Sequence, residues 1–425
     1  MKRSLLSFSL LVAVTFVLPA LAETSQSDAS FKATTKAKTA TANLQAILGP
    51  SPAQPGFGSA VAVSADGKTI AVGITGLGVD VFLEPSGGWT NTGNYVAQLT
   101  VSSELEGNTG LSVAISADGN TIAVGSNYTD FNQMEFTGAV FVYQKPAGGW
   151  VSTSSPNAML TASDQQEGWE LGTSVAISGN TVVASAPYSN NEVYVWTEPS
   201  TGWTSMTQTA ILTPSDGVKG DSFGQSVAIE GNTIAVGSIN NDTVGAVYVY
   251  VEPASGWSSS TQTAKLTATN AIDGENLGSS VALNGSTLVS GAVELFAGRG
   301  EAFVFQEPAG GWADETDSAV LYTPQVTRLG LFGASVAVTA NAIAVGAEEA
   351  KNSYNGAIFL YQSHNEGEKN VSTGLPTQEI IPPTNGNGMT VGASVAFGGN
   401  LLVIGGPIFY VERGHPTGQV FIYSF

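Results

Sequence analysis

Short apolar runs alternate with polar turns along almost the whole chain. In FGQSVAIEGNTIAVGS (223–238), Val227 and Ile229 fall on one face while Ser226 and Ala228 fall on the other. Thr233 to Gly237 repeats that period of two. A period of two over four to eight residues predicts a β-strand. The intervening Glu-Gly-Asn-Thr supplies the positive φ that a tight hairpin requires. Helix-period stretches are scarce, so the pattern predicts an all-β chain.

Near copies of this hairpin recur. They read FGSAVAVSADGKTIAVG (57–73), TGLSVAISADGNTIAVG (109–125), LGTSVAISGNTVVASA (171–186), LGSSVALNGSTLVSGA (277–292), FGASVAVTANAIAVGA (332–347) and VGASVAFGGNLLVIGG (391–406). Aligned on Gly58, Gly110, Gly172, Gly224, Gly278, Gly333 and Gly392, the seven units are spaced 52 to 62 residues apart. A third run follows each hairpin, as in NEVYVWTEP and GAVYVYVEP, and carries the aromatics. In five units a turn ending in Gly-Trp comes next, at Trp89, Trp150, Trp203, Trp257 and Trp312, and then a fourth run of the AILT type. Four short strands per unit, repeated seven times, predict a seven-bladed β-propeller over residues 43–425. The seventh unit stops after its third strand, while NLQAIL (43–48) matches a fourth strand without a blade of its own. The economical expectation is that the N-terminal strand completes the last blade and leaves no free radial edge.

With FG-x-S-V-A followed by V-G-A/S, the chain resembles FG-GAP repeat proteins, whose repeats also build the seven-bladed propeller of integrin α subunits. The likeness spans about residues 43–425, although Thr109, Leu171, Leu277 and Val391 replace the Phe. The resemblance implies extracellular binding or adhesion. One departure matters. Several integrin first hairpins carry Asp-x-Asp-x-Asp-Gly calcium loops, whereas the turns here hold at most one carboxylate each (Asp66, Asp118, Glu230). A hard cation wants six or more oxygens, so no integrin-type calcium site, and no other cofactor, is expected.

Composition sharpens the picture. The N-terminus MKRSLLSFSLLVAVTFVLPALA has a basic start, an apolar core from Leu5 to Leu18 and a small-residue box at Ala20-Leu21-Ala22. Residues 1–22 therefore read as a secretory signal and 23–42 as a flexible Thr/Ala/Ser/Lys linker. A secreted, periplasmic or cell-surface location follows, with no membrane span after removal of the signal. The formal charge of −20 repels nucleic acid. The absence of Cys removes disulfides and thiolate chemistry, leaving a large core to stabilise the fold.

Catalytic signals are poor. The two histidines, His364 and His415, stand in variable stretches without metal spacing. The recurring Gly-x-Ser-x-Ala opens strands instead of ending them, so its Ser reads as structural. What varies is the set of loops from second to third strands and from fourth strands to the next blade, which share one face of a propeller. These loops hold the candidate ligand-binding residues Glu106, Phe131, Phe136, Glu167, Trp169, Asp221, Asp273, Glu275, Glu348 and Tyr410. The expected function is non-catalytic recognition of an extracellular protein or glycan. A polysaccharide-acting propeller enzyme is the alternative, and needs a carboxylate pair that no motif singles out. The ending GQVFIYSF admits a remoter reading as an outer-membrane barrel strand, but these strands are too short to cross a bilayer.

Overall fold

The computed structural model describes residues 41–50, 54, 56–102, 105, 107–269, 272–293, 300–323, 330–351, 355–362, 374–383, 389–408 and 417–425. The expected signal (1–22), most of the expected linker (23–42), Glu106, Tyr410 and both histidines lie outside them. Seven antiparallel sheets follow one another as the blades of a β-propeller. Blade 4 is typical: Phe223–Glu230, Thr233–Ser238, Ala246–Val251 and Ala264–Thr267 run in order from inner to outer strand. Blade 7 combines Ser394–Gly398, Leu401–Gly406 and Gln419–Ser424 with Asn43–Leu48 as its outer strand. There Asn43 stands opposite Ser424 and Leu48 opposite Val420. Among the described residues, no helix is long and apolar enough to cross a membrane.

Each blade is buried on both faces, and the core is divided among the seven blade junctions. In blade 4, Tyr248 and Tyr250 pack with Val193, Val195 and Leu212 of blade 3, while Val247 and Val249 pack with Leu277, Phe303 and Phe305 of blade 5. The alternation in the third strand therefore sets an aromatic side against the aliphatic side of the preceding blade, which fills the wedge at interior density. Blade 1 departs from this rule. Its third strand, Gly78–Leu83, places Asp80 where the others carry Phe141, Tyr194, Tyr248, Phe303, Phe359 and Phe421. Asp80 is wholly buried, with one carboxylate oxygen bonded to Gln98 at 3.0 Å and the other unpartnered. Burial pushes its carboxyl up to about 6, against the pull of the Gln98 bond.

The repeated Ser and Gly form a socket between blades. Ser226 donates its hydroxyl to the carbonyl oxygen of Gly278 in the next blade at 2.8 Å. Beneath that carbonyl lies Gly237, where a Cβ would sit 2.1 Å from the same oxygen. The anchoring Gly278 takes φ +99, a region that side chains avoid. Blade 3 has Ser185 in place of the second-strand glycine. Its motif serine, Ser174, instead accepts the Val227 N–H at 3.1 Å.

The Gly-Trp turns also have a structural purpose. Each buries its Trp in the junction with the preceding blade and lays the following residues against that blade's outer strand. Met206–Thr207, Ser260–Thr261 and Glu315–Thr316 pair in parallel with the outer strands of blades 2, 3 and 4. Single bridges from Thr153 to Leu99 and from Thr92 to Leu48 extend the pattern to blades 1 and 7. Side-chain oxygens complete these clasps. Asn91, Ser152, Ser205, Ser259 and Asp314 accept the N–H groups of Ile47, Gln98, Met159, Ile211 and Lys265 at 2.7 to 3.0 Å. Five outer strands are thus covered where an open edge would template pairing with another chain.

Candidate functional site

The loops entering blades 3, 4 and 5 share one plan. Gly168, Gly220 and Gly274 take positive φ, as do Glu170, Ser222 and Asn276 two residues later. These two left-handed positions turn the chain into the next inner strand. Between them stand Trp169, Asp221 and Glu275, all buried. An oxygen of Asp221 accepts the Val218 N–H at 2.8 Å and the Asn241 side-chain amide at 3.2 Å. Glu275 accepts the Ile272 N–H at 3.0 Å. Trp169 is 7% exposed and packs into the core between blades 2 and 3. Three of the candidate residues are therefore one position repeated, and it braces the loop from within. Glu167 and Asp273, two residues earlier, are exposed at the loop tips.

The preceding residues at two of these tips are Val218 and Ile272, exposed by 65% and 55%. Neither is acidic or aromatic, so neither stands among the residues expected to bind. Their signal was an apolar residue three positions before a buried carboxylate.

In blade 2 the loop from second to third strand carries three non-glycine residues at positive φ: Asn132, Gln133 and Phe136. Asp130 accepts the Phe136 N–H at 2.9 Å, and the Phe136 carbonyl accepts the Glu170 N–H at 3.0 Å. Fixed at both ends of its peptide, Phe136 holds its ring edge-on to Tyr128, with centroids 5.2 Å apart, and stays 45% exposed. Phe131 is half-buried in the same loop. Tyr188, in the corresponding loop of blade 3, is 63% exposed. Between them, the Glu170 carboxylate accepts from the Asn127 amide at 3.1 Å. Burial pushes its pKa up, and that hydrogen bond pulls it back. Burial likewise raises the Tyr128 hydroxyl, helped by the Glu170 charge and by Tyr188. Glu348, expected in a loop, lies within the second strand of blade 6 (Ala342–Lys351), half-buried and already partnered.

Other acids of this face are engaged within the fold. Tyr248 donates to Asp216 at 2.8 Å, and Lys265 reaches Asp216 at 2.6 Å and Asp242 at 3.1 Å. Burial opposes ionisation of Asp216, but the bonds from Lys265 and Tyr248 hold it below the usual range. In blade 3, the Tyr194 hydroxyl lies 3.2 Å from Asp164 and 3.0 Å from Glu192. Among the described residues, no group of three or more His, Asp and Glu is disposed to hold a metal. On the opposite face, Asp66 and Asp118 accept from the Ser64 and Ser116 hydroxyls and from the Lys68 and Asn120 N–H groups of their own turns. Those bonds keep both carboxyls below the ordinary value.

The family model described as FG-GAP repeat matches residues 155–196, 206–250 and 260–305. The chain carries FG-GAP repeats. Each matched segment runs from an outer strand through the inner hairpin to the third strand of the next blade. The same frame leaves Asn43–Leu48 as the outer strand and Gln419–Ser424 as the third strand of one blade. No curated protein matches the chain. Solved structures that match number 852 chains. One of them, the structure of U3-55K, is 14% identical, covers 88% of this chain and 96% of its own, and superposes with a TM-score of 0.55. At that identity the likeness is one of fold, and a fold hosts many functions.

Proposed function

We propose that this FG-GAP propeller is a non-catalytic binding protein that acts outside the cytoplasm and docks a protein partner on the face built by its irregular loops. One observation carries the reading. Twelve large apolar side chains are exposed among the described residues, and seven of them stand on this face: Leu77, Phe136, Tyr188, Val218, Ile272, Tyr322 and Ile381. An apolar set gathered on one face of an acidic chain fits a docking surface. The left-handed residues and buried carboxylates beneath it support a preorganised surface, which lowers the entropic cost of binding. The signal-like N-terminus and the extracellular character of such propellers support the location.

The test is capture from cell-surface extract by the immobilised chain, compared with Phe136→Ala/Tyr188→Ala and Val218→Ser/Ile272→Ser. Retention of the same partner should fall at least tenfold in one or both double variants. Equal retention by both would remove the docking face from consideration. Release of reducing ends from a polysaccharide panel would replace binding with hydrolysis as the function.

A further inference from the structure

The face opposite the loops is built from the first hairpin turns and the Gly-Trp turns, and at three of its blade junctions a hydrogen bond joins neighbouring first turns. Between blades 1 and 2 the Ala65 N–H donates to the Ala117 carbonyl at 2.9 Å. Between blades 3 and 4 the Gly231 N–H donates to the Ser178 hydroxyl at 3.0 Å, and between blades 4 and 5 the Gly285 N–H donates to Glu230 at 2.6 Å. Among the described residues, no such bond joins the turns of blades 2 and 3. The turns that meet at this junction differ in length. Blades 1 and 2 turn through Ser-Ala-Asp-Gly, whereas blade 3 turns through Gly179-Asn180 alone. The long turn of blade 2 overhangs the short one of blade 3, and a cleft of about 740 Å³ opens.

Its walls are more polar than apolar and hold no aromatic residue. Asp118, Asn120, Gln144 and Lys145 line one side, with Asn180 and Glu198 on the other. Gln144 donates its amide to Glu198 across the junction at 3.0 Å, which fixes one carboxylate oxygen and leaves the other available. Asp118 is committed to its own turn through both oxygens. Lys145 lines the cleft without an ion pair; among the described residues, only Lys265 makes one. The charged groups sum to one net negative charge, which opposes an anion, and the ammonium opposes a cation. The absence of aromatic walls disfavours a flat apolar ligand. What remains is a molecule whose groups both donate and accept: hydroxyls that accept from Lys145 and the amides, and donate to Glu198 and the amide carbonyls. The volume falls in the ordinary range of small-ligand sites, about 300–1,000 Å³.

We propose that this cleft between blades 2 and 3 is a binding site for a neutral saccharide, independent of the docking face. The test is saturation-transfer NMR on the chain with maltotriose, cellotriose, mannotriose and triacetylchitotriose, with trigalacturonate as the anionic control. At least one neutral trisaccharide should give a signal that falls at least fivefold in Glu198→Ala and Lys145→Ala. Ala147→Trp, at an exposed residue of the rim, should block the cleft sterically and abolish the signal even if the other variants fold poorly. Phe136→Ala/Tyr188→Ala should leave it unchanged, which keeps this site distinct from the loop face. No signal from any neutral trisaccharide, binding of trigalacturonate alone, or a signal indifferent to Ala147→Trp would overturn the proposal.

Discussion

The hydroxyl of Ser394 donates to the carbonyl oxygen of Gly58 at 3.0 Å, joining blade 7 to blade 1. Ser112, Ser226, Ser280 and Ser335 make the same bond to Gly172, Gly278, Gly333 and Gly392 at 2.7 to 2.8 Å. The junction at which the ring closes is thus chemically the same as four of the six interior ones. In every case a second-strand glycine makes room for the accepting carbonyl, and a Cβ there would approach it to between 1.9 and 2.2 Å.

The two halves of this socket should differ sharply in cost. Ser226→Ala removes one hydrogen bond, a loss of about 1 kcal/mol. Gly237→Ala drives a methyl into the Gly278 carbonyl of the next blade, a backbone group that cannot turn away, and against the Ser226 hydroxyl. A loss above about 3 kcal/mol is expected, as for overpacked sites. Urea unfolding of both variants decides it; equal costs would mean that the blades slide apart without penalty.

Closure through the N-terminal strand makes folding depend on residues far from most of the core. Ala46 and Leu48 are fully buried in the junction of blades 7 and 1. Removal of residues 1–48 should abolish the cooperative thermal transition, whereas removal of 1–40 should leave it intact. Two equal transitions would show that Asn43–Leu48 is dispensable to the ring.

Asp80 should make stability depend on pH in an unusual sense. Its folded carboxyl titrates at about 6, above its ordinary 3.8, so the native state holds the proton more tightly than the unfolded chain. The contribution is fully favourable below about pH 4, declines as pH rises, and is lost above about pH 6. A shift of that size corresponds to about 3 kcal/mol. Asp80→Asn should therefore gain stability over the parent at pH 7.5, and that gain should vanish at pH 3.5. Denaturant midpoints at both pH values provide the check, since a gain independent of pH points to packing alone.

Much of the fold was legible because the repeat states it seven times. Period-two alternation, the anchoring glycines and the unpaired NLQAIL run specify strands, blade frame and ring in terms that local physics obeys. The candidate site was less legible. Trp169, Asp221 and Glu275 look like loop chemistry because Trp and carboxylates are commonly exposed in loops, yet they occupy one buried position under different residue names. Whether a loop carboxylate faces water or the N–H three residues back depends on backbone φ, which Gly220 and Ser222 set without leaving a compositional trace. Val218 and Ile272 were missed for the complementary reason: a single aliphatic residue in a polar loop gives no periodicity. The cleft between blades 2 and 3 depends on a difference in turn length between neighbours, visible only once the turns stand side by side.

The clasps over the outer strands should be separable from the stability of the blades. Ser205, Ser259 and Asp314 each accept one outer-strand N–H, those of Met159, Ile211 and Lys265. The inner three strands of each blade carry their own ladders and the buried aromatic seam, so they do not depend on these bonds. Outer strands of three or four residues keep only a short ladder to the third strand on their inner side, and local opening is governed by exposed bonds such as those on the other side. Replacing all three acceptors by Ala should speed amide hydrogen exchange at Met159, Ile211 and Lys265 by tenfold or more. Exchange at Val236 and Val249, in the second and third strands of blade 4, should stay within twofold. If the outer amides remain as protected as before, the Trp turns hold the edge by packing, and the hydrogen-bonded clasp is incidental. If exchange quickens at all positions alike, the clasps contribute to global stability and the blades do not open from the edge inward.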